Sequence, residues 1–135
     1  MVIDTSAAFA IIAEEPDAED FATSIEAFDE RRMSAVSILE LNIVVANRFG
    51  SADLARVEQF LARAAIASMP FDEECERIAT AAFLRFGKGR HAAALNFGDC
   101  AAYALAQMLN EPLLFKGDDF TKTDVKIALE RLGDD

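Results

Sequence analysis

Five carboxylates stand where the chain's predicted turns give them something to do together: Asp4, Glu40, Asp99 and the adjacent pair Asp118 and Asp119. Asp4 closes the opening apolar run "MVID". Glu40 lies about one turn into the helix predicted after "MSAVS". Asp99 stands in "NFGD", ahead of the helix that precedes "PLLFK", and the pair follows that run in "FKGDDF". Carboxylates held close without a counter-charge repel and raise one another's pKa values. A divalent cation removes the conflict, and a set made wholly of oxygen donors suits Mg²⁺ or Mn²⁺. Such a site orients or ionises a water for in-line attack on a phosphodiester and stabilises the leaving oxygen.

Each of these acids also has a structural use. Asp4 can cap the helix beside it, and Ser37-Ile38-Leu39-Glu40 reads as a capping box, with Asn96-Phe97-Gly98-Asp99 a similar pattern. Asp118 or Asp119 suits an ordinary turn. The chain has 24 Asp and Glu in all, so any one acid taken alone reads as structural. Their coincidence at one sheet edge carries the chemical reading.

That edge depends on the order of elements. Residues 1–4 read as a buried strand. Ser6 can cap a helix over "AAFAIIAEE", and Pro16 suits the first turn of a second helix running to about Phe28. "MSAVS" (33–37) is a second strand, followed by a helix over "ILELNIVVANRF" that Gly50 can end. Ser51 starts another helix, whose apolar face carries Leu54, Val57, Phe60 and Leu61. "AIASMPF" (65–71) is a third strand. Asp72 then caps a helix that runs to Phe86 and closes at Gly87. The loop "GKGRH" leads to a helix over about Asp99 to Asn110, "PLLFK" (112–116) is a fourth strand, and "VKIAL" offers a weak fifth. Strand and helix in alternation predict an α/β fold with a parallel sheet of four or five strands covered on both faces. Ligands of such sheets bind outside the carboxyl ends of the strands, where these acids fall.

The length of 135 residues predicts one domain over residues 1–135, with enough chain for a real core. No apolar run approaches a membrane span and no signal peptide opens the chain, which predicts a cytoplasmic protein with no membrane partner. Cys75 and Cys100 lack a CxxC spacing and read as free thiols. The formal net charge of −11 excludes broad electrostatic binding to nucleic acid or anionic membranes, and it suits a basic partner. His91 is the only histidine, so a His-based zinc site or a Ser-His-Asp triad has little to work with. "GKG" lacks the spacing of a P-loop, and no GxGxxG is present.

"MVIDTSA", "SAVSILEL", "LNFGDCAAYALA" and "LLFKGDDFTKTDV", in this order and spacing, resemble the VapC-type PIN-domain ribonucleases, the toxins of bacterial VapBC toxin–antitoxin modules. The resemblance runs from residue 1 to about residue 127. It implies a three-layer α/β/α sandwich and Mg²⁺- or Mn²⁺-dependent endoribonuclease activity on transfer RNAs or other structured RNAs. It implies Asp4 and Asp99 as metal ligands, with Glu40 completing the acidic core. Asp119 matches the family's retained fourth acid, while Asp118 replaces a frequent Asn and adds charge. Thr5 and Ser6 are implied to hydrogen-bond Asp4 or the metal's waters. The family also implies homodimers and a cognate VapB antitoxin that joins them in heterotetramers or larger complexes, inserting an Arg or Lys near the acids.

Two other classes compete. A catalytically inert PIN-like module would keep the acids to bind a basic partner. A receiver-type phosphotransfer domain also clusters acids at a parallel sheet edge, but it wants a phosphoacceptor Asp after the central strand, and Asp72 reads as a helix cap.

Overall fold

The computed structural model describes residues 1–129. Four short strands, β1 (Val2–Ile3), β2 (Arg32–Ser34), β3 (Ala67–Met69) and β4 (Leu113–Leu114), form one sheet in the order β3-β2-β1-β4. Every pairing is parallel, with Val2 opposite both Arg32 and Leu113. Six α-helices connect and flank them: α1 (Thr5–Ile12), α2 (Ala18–Glu26), α3 (Ala35–Phe49), α4 (Leu54–Arg63), α5 (Glu73–Phe86) and α6 (Phe97–Leu109).

Alternation along the neighbouring strands β1 and β4 creates three layers. Val2 and Leu113 face one core, which α5 and α6 close with Ala82, Phe86, Ala102 and Leu105. Ile3 and Leu114 face the other, closed by α1 to α4 with Ala8, Ile12, Phe21, Leu41, Val45 and Val57. Strands buried on both faces need no polar alternation, which is why β1 and β4 read as plain apolar runs. Each fully buried Leu or Ile in these cores contributes about 1.5–3 kcal/mol.

The sheet order also fixes where a crevice opens. From β1 the chain crosses to β2 and β3 on one side and returns to β4 on the other. The connections therefore diverge between β1 and β4, and the groove beyond their carboxyl ends lies there.

Several boundaries differ from those predicted. Asp4, not Ser6, caps α1. The second strand stops at Ser34, whose side chain caps α3, so residues 35–37 are helical. The proposed Ser37–Glu40 capping box therefore does not exist: Ser37 is fully buried inside α3. Pro16 lies ahead of α2 rather than within it, and a 3₁₀ turn (Ser51–Asp53) precedes α4. β3 and β4 keep only the middles of their predicted runs, while α6 begins two residues earlier than expected. The weak fifth strand is reduced to a single bridge between Ile127 and Leu113. Both cysteines are buried free thiols. Among the described residues no helix is long and apolar enough to cross a membrane.

Candidate active site

Asp4 is the first residue beyond β1, and its backbone N–H still donates to Leu114 O across the sheet at 2.9 Å. Turning there from strand to helix, it becomes the N-cap of α1. Its Oδ2 accepts from the Ser6 N–H at 3.1 Å and from the Ser6 hydroxyl at 2.5 Å. Its Oδ1 is buried and has no hydrogen-bond partner among the described residues. The side chain is only 4% exposed. Burial pushes its pKa up to about 7, the negative charges of Asp99 and Glu40 add to that rise, and the Ser6 hydrogen bonds oppose it. Leaving a carboxylate oxygen dry and unpaired costs energy that an arriving proton or cation recovers.

Two neighbours hold this corner. Ser6 Oγ accepts the Lys116 N–H at 3.0 Å, so its own proton is directed at Asp4 and the exit of β4 is tied to the exit of β1. Thr5 donates its hydroxyl to Ser37 O at 3.0 Å, fastening the start of α1 to α3. Ser6 contacts Asp4 directly, whereas the Thr5 hydroxyl, expected on Asp4 or on a metal's waters, goes to α3 instead. The use of the Lys116 amide and the Ser37 carbonyl as anchors has no signature in sequence, because backbone groups look alike in every residue.

Glu40 lies on α3, half-buried, facing the N-terminus of α6. Gly98 makes that approach possible. A Cβ on residue 98 would stand 2.3 Å from Glu40 Oε2, so only glycine lets the α6 backbone pack against this carboxylate. Asp99 follows directly. It shares a reciprocal capping box with Asn96: the Asp99 N–H donates to Asn96 Oδ1 at 2.9 Å, and the Asn96 N–H donates to Asp99 Oδ2 at 3.0 Å. Burial is the main cause raising the Asp99 pKa; the Asn96 bond opposes it, and the charges of Glu40 and Asp119 push the same way as burial.

The pair after β4 divides in position. Asp119 opens a 3₁₀ turn (Asp119–Lys122), and its charge is felt at Asp99. Asp118 immediately precedes that turn, and both acids are exposed. Asp4, Glu40, Asp99 and Asp119 thus form one electrostatically linked set drawn from four elements. Among the described residues no three His, Cys, Asp or Glu side chains are already closed around a common point. The donors nonetheless fit a hard cation: all are carboxylates, they repel one another, and Asp4 keeps an unpaired oxygen.

Other candidates take structural roles. Asp72 caps α5 by accepting the Cys75 N–H at 3.0 Å, which removes the acceptor a receiver domain would need there. His91 Nδ1 accepts the Ala93 N–H at 3.0 Å, and its ring meets Phe86 edge-on, closing the α5–α6 loop. A cavity of about 470 Å³ lies away from the acids, among Ile11, Ile25, Phe60 and Arg56 of α1, α2 and α4.

A family model described as PIN domain matches residues 1–126. The chain is 46% identical over 125 residues to the ribonuclease VapC30 of Mycobacterium tuberculosis, covering 93% of this chain and 95% of that protein. It is equally similar, at 46% over 125 residues, to the ribonuclease VapC of Mycolicibacterium smegmatis, covering 93% of this chain and 97% of the relative. Among solved structures, the M. tuberculosis toxin VapC20, described as cleaving the sarcin-ricin loop, superposes with a TM-score of 0.75 at 13% identity, over 92% of this chain and 95% of that one. VapBC2 of Rickettsia felis, bound to a promoter DNA fragment, gives 0.73 at 16% identity, over 93% of this chain and 94% of that one.

Proposed function

The chain belongs to the PIN-domain family as a ribonuclease of the VapC type, and on that premise we propose that it hydrolyses RNA phosphodiesters at a divalent cation held by Asp4, Glu40, Asp99 and Asp119. The observation that supports this most is the buried, unpartnered Oδ1 of Asp4 beside two further carboxylates. Mg²⁺ is the cation of choice, with Mn²⁺ a working substitute, because both take hard oxygen donors and leave places for water and phosphate. When bound, the cation neutralises the acids, lowers the pKa of a coordinated water and stabilises charge on the phosphate.

The chain's own residues do the rest. Asp4 anchors the cation at the bottom of the groove, and Ser6 aims the Asp4 carboxylate and favours its ionised form by donating to Oδ2. Asp99 is oriented by Asn96, which occupies one of its oxygens and leaves the other to the groove. Glu40, brought in by Gly98, completes the set from the opposite wall. Asp119 closes it from beyond β4, with Asp118 adding negative potential at the rim.

A transfer RNA or another structured RNA is the proposed substrate, cut in the cytoplasm, where the buried thiols of Cys75 and Cys100 stay reduced. A VapB-type antitoxin is the proposed partner. The net charge of −11 favours a basic segment of such a partner, which would set an Arg or Lys against the acids. Self-association into a homodimer, and into a heterotetramer or larger complex with the antitoxin, is favoured by the exposed Leu39 and Ile43, one turn apart on α3.

Isothermal titration with Mn²⁺ tests the cation site. Saturable binding is expected for the parent protein, with affinity at least about tenfold weaker for Asp99→Asn. A folded parent protein that binds neither Mn²⁺ nor Mg²⁺ would refute the assignment.

A further inference from the structure

Phe97 is the first residue of α6 and is 82% exposed; among the described residues the next most exposed large apolar residue, Leu39, stands at 58%. Nothing local rewards this. Asn96 and Asp99 already cap the helix, and a ring turned to solvent adds nothing to either core. Its neighbours give it a use. Gly98, the next residue, packs its backbone against the Glu40 carboxylate, and Asp99 comes directly after. The exposed ring is therefore borne at the start of α6 by the residue that adjoins Gly98 and Asp99.

Charge alone holds RNA poorly here. Lys116, close to Asp4 through its amide bond to Ser6, spends its ammonium on Glu15 and Asp17 at 3.3 and 3.2 Å. Stacking of a base on an aromatic face needs no charge and contributes about 1–3 kcal/mol. Immediately before Asn96 and Phe97 in the chain comes the α5–α6 loop, closed by a Gly87–Leu95 bridge and by the Lys88 N–H donating to Leu95 O at 3.0 Å. That loop presents the exposed cations Lys88 and Arg90 just ahead of Asn96. Cations, ring and acid thus follow one another along the chain into α6.

Building on the ribonuclease reading, we propose that Phe97 binds the substrate as a stacking platform: an unpaired base beside the cleaved bond lies on its ring, and the strand continues toward Lys88 and Arg90. The chain contains no Trp, so Phe97→Trp installs a single tryptophan at the position in question, excited selectively over Tyr103. Rapid mixing of this variant with total transfer RNA and Mg²⁺ should quench its emission before cleavage fragments appear. Steady-state cleavage should show Phe97→Ala weakening substrate use about 5- to 150-fold, with the loss falling on KM. Phe97→Tyr should restore it and Phe97→Leu should not. The Phe97→Ala loss should persist at high salt, whereas that of Lys88→Ala should shrink.

Unchanged emission while the same sample cuts RNA would overturn the proposal, as would rescue by Leu equal to that by Tyr. Sedimentation showing that Phe97→Ala turns a dimer into a monomer would assign the ring to a contact between copies instead. If the parent protein itself cuts no RNA, the ribonuclease reading fails first, and the stacking platform falls with it.

Discussion

One oxygen of Asp4 is served by Ser6 and the other by none of the described residues, so this carboxylate is built at a cost to the metal-free protein. Its ordinary pKa is 3.8, and in the fold it titrates near 7. Between those values the folded chain holds a proton that the unfolded chain has released, so this group's contribution to stability declines as pH rises from about 4 to 7. At about 1.4 kcal/mol per pH step, the decline is on the order of 4 kcal/mol. Asp4→Asn should therefore gain on the parent protein as pH rises, and thermal unfolding in EDTA at pH 5 and pH 8 measures the difference. A gap that stays constant with pH would show that Asp4 titrates normally. Ser6→Ala should push the Asp4 pKa higher still and weaken Mn²⁺ binding at neutral pH by about 10- to 100-fold, read by calorimetry. That Asp4 and Asp99 stand at a strand exit and a helix start was legible in the sequence, while Glu40 lies deeper in its helix than its neighbours suggested. Gly98 was not legible, because its significance is a through-space approach to Glu40, 58 residues earlier in the chain.

The helix starts do two jobs, capping a helix and presenting an acid. Ser34 rather than Ser37 begins α3, and that shift places Glu40 well inside the helix instead of in its first turn. Ser34→Ala should destabilise the protein by about 1 kcal/mol through loss of the cap. At α6, Gly98→Ala separates fold from function. The added methyl meets the end of a flexible Glu40 side chain, so α6 can keep its place while the carboxylate is displaced. Unfolding temperature should move by only a few degrees, whereas RNA cleavage should fall by at least about tenfold; equal activity with the carboxylate displaced would remove Glu40 from the site. Element types followed from apolar runs and from Gly and Pro punctuation, and Asp72, Gly50 and Gly87 end or start helices where expected. Boundaries slipped where one serine looked as good a cap as another. Strand lengths were overestimated, since in β1 and β4 only two residues each pair in the ladder.

At the scale of the whole molecule, strand order decides the chemistry. Placing β1 between β2 and β4 brings Asp4 and the Asp119 turn to one groove and lets α3 and α6 close its walls with Glu40 and Asp99. Sequence pattern predicted a parallel sheet but could not supply its order, because pairing partners are chosen by packing across the chain rather than by any local signal. The proposed cation would also serve for more than bond cleavage. A chain of net charge −11 repels RNA, and its groove repels it most. The most direct test is incubation of purified protein with total transfer RNA in Mg²⁺ or Mn²⁺, and again in EDTA, with Asp99→Asn in parallel. Discrete fragments that require both the cation and Asp99 are the predicted result. Fragments that persist in EDTA, or that Asp99→Asn produces as readily as the parent protein, would contradict the account.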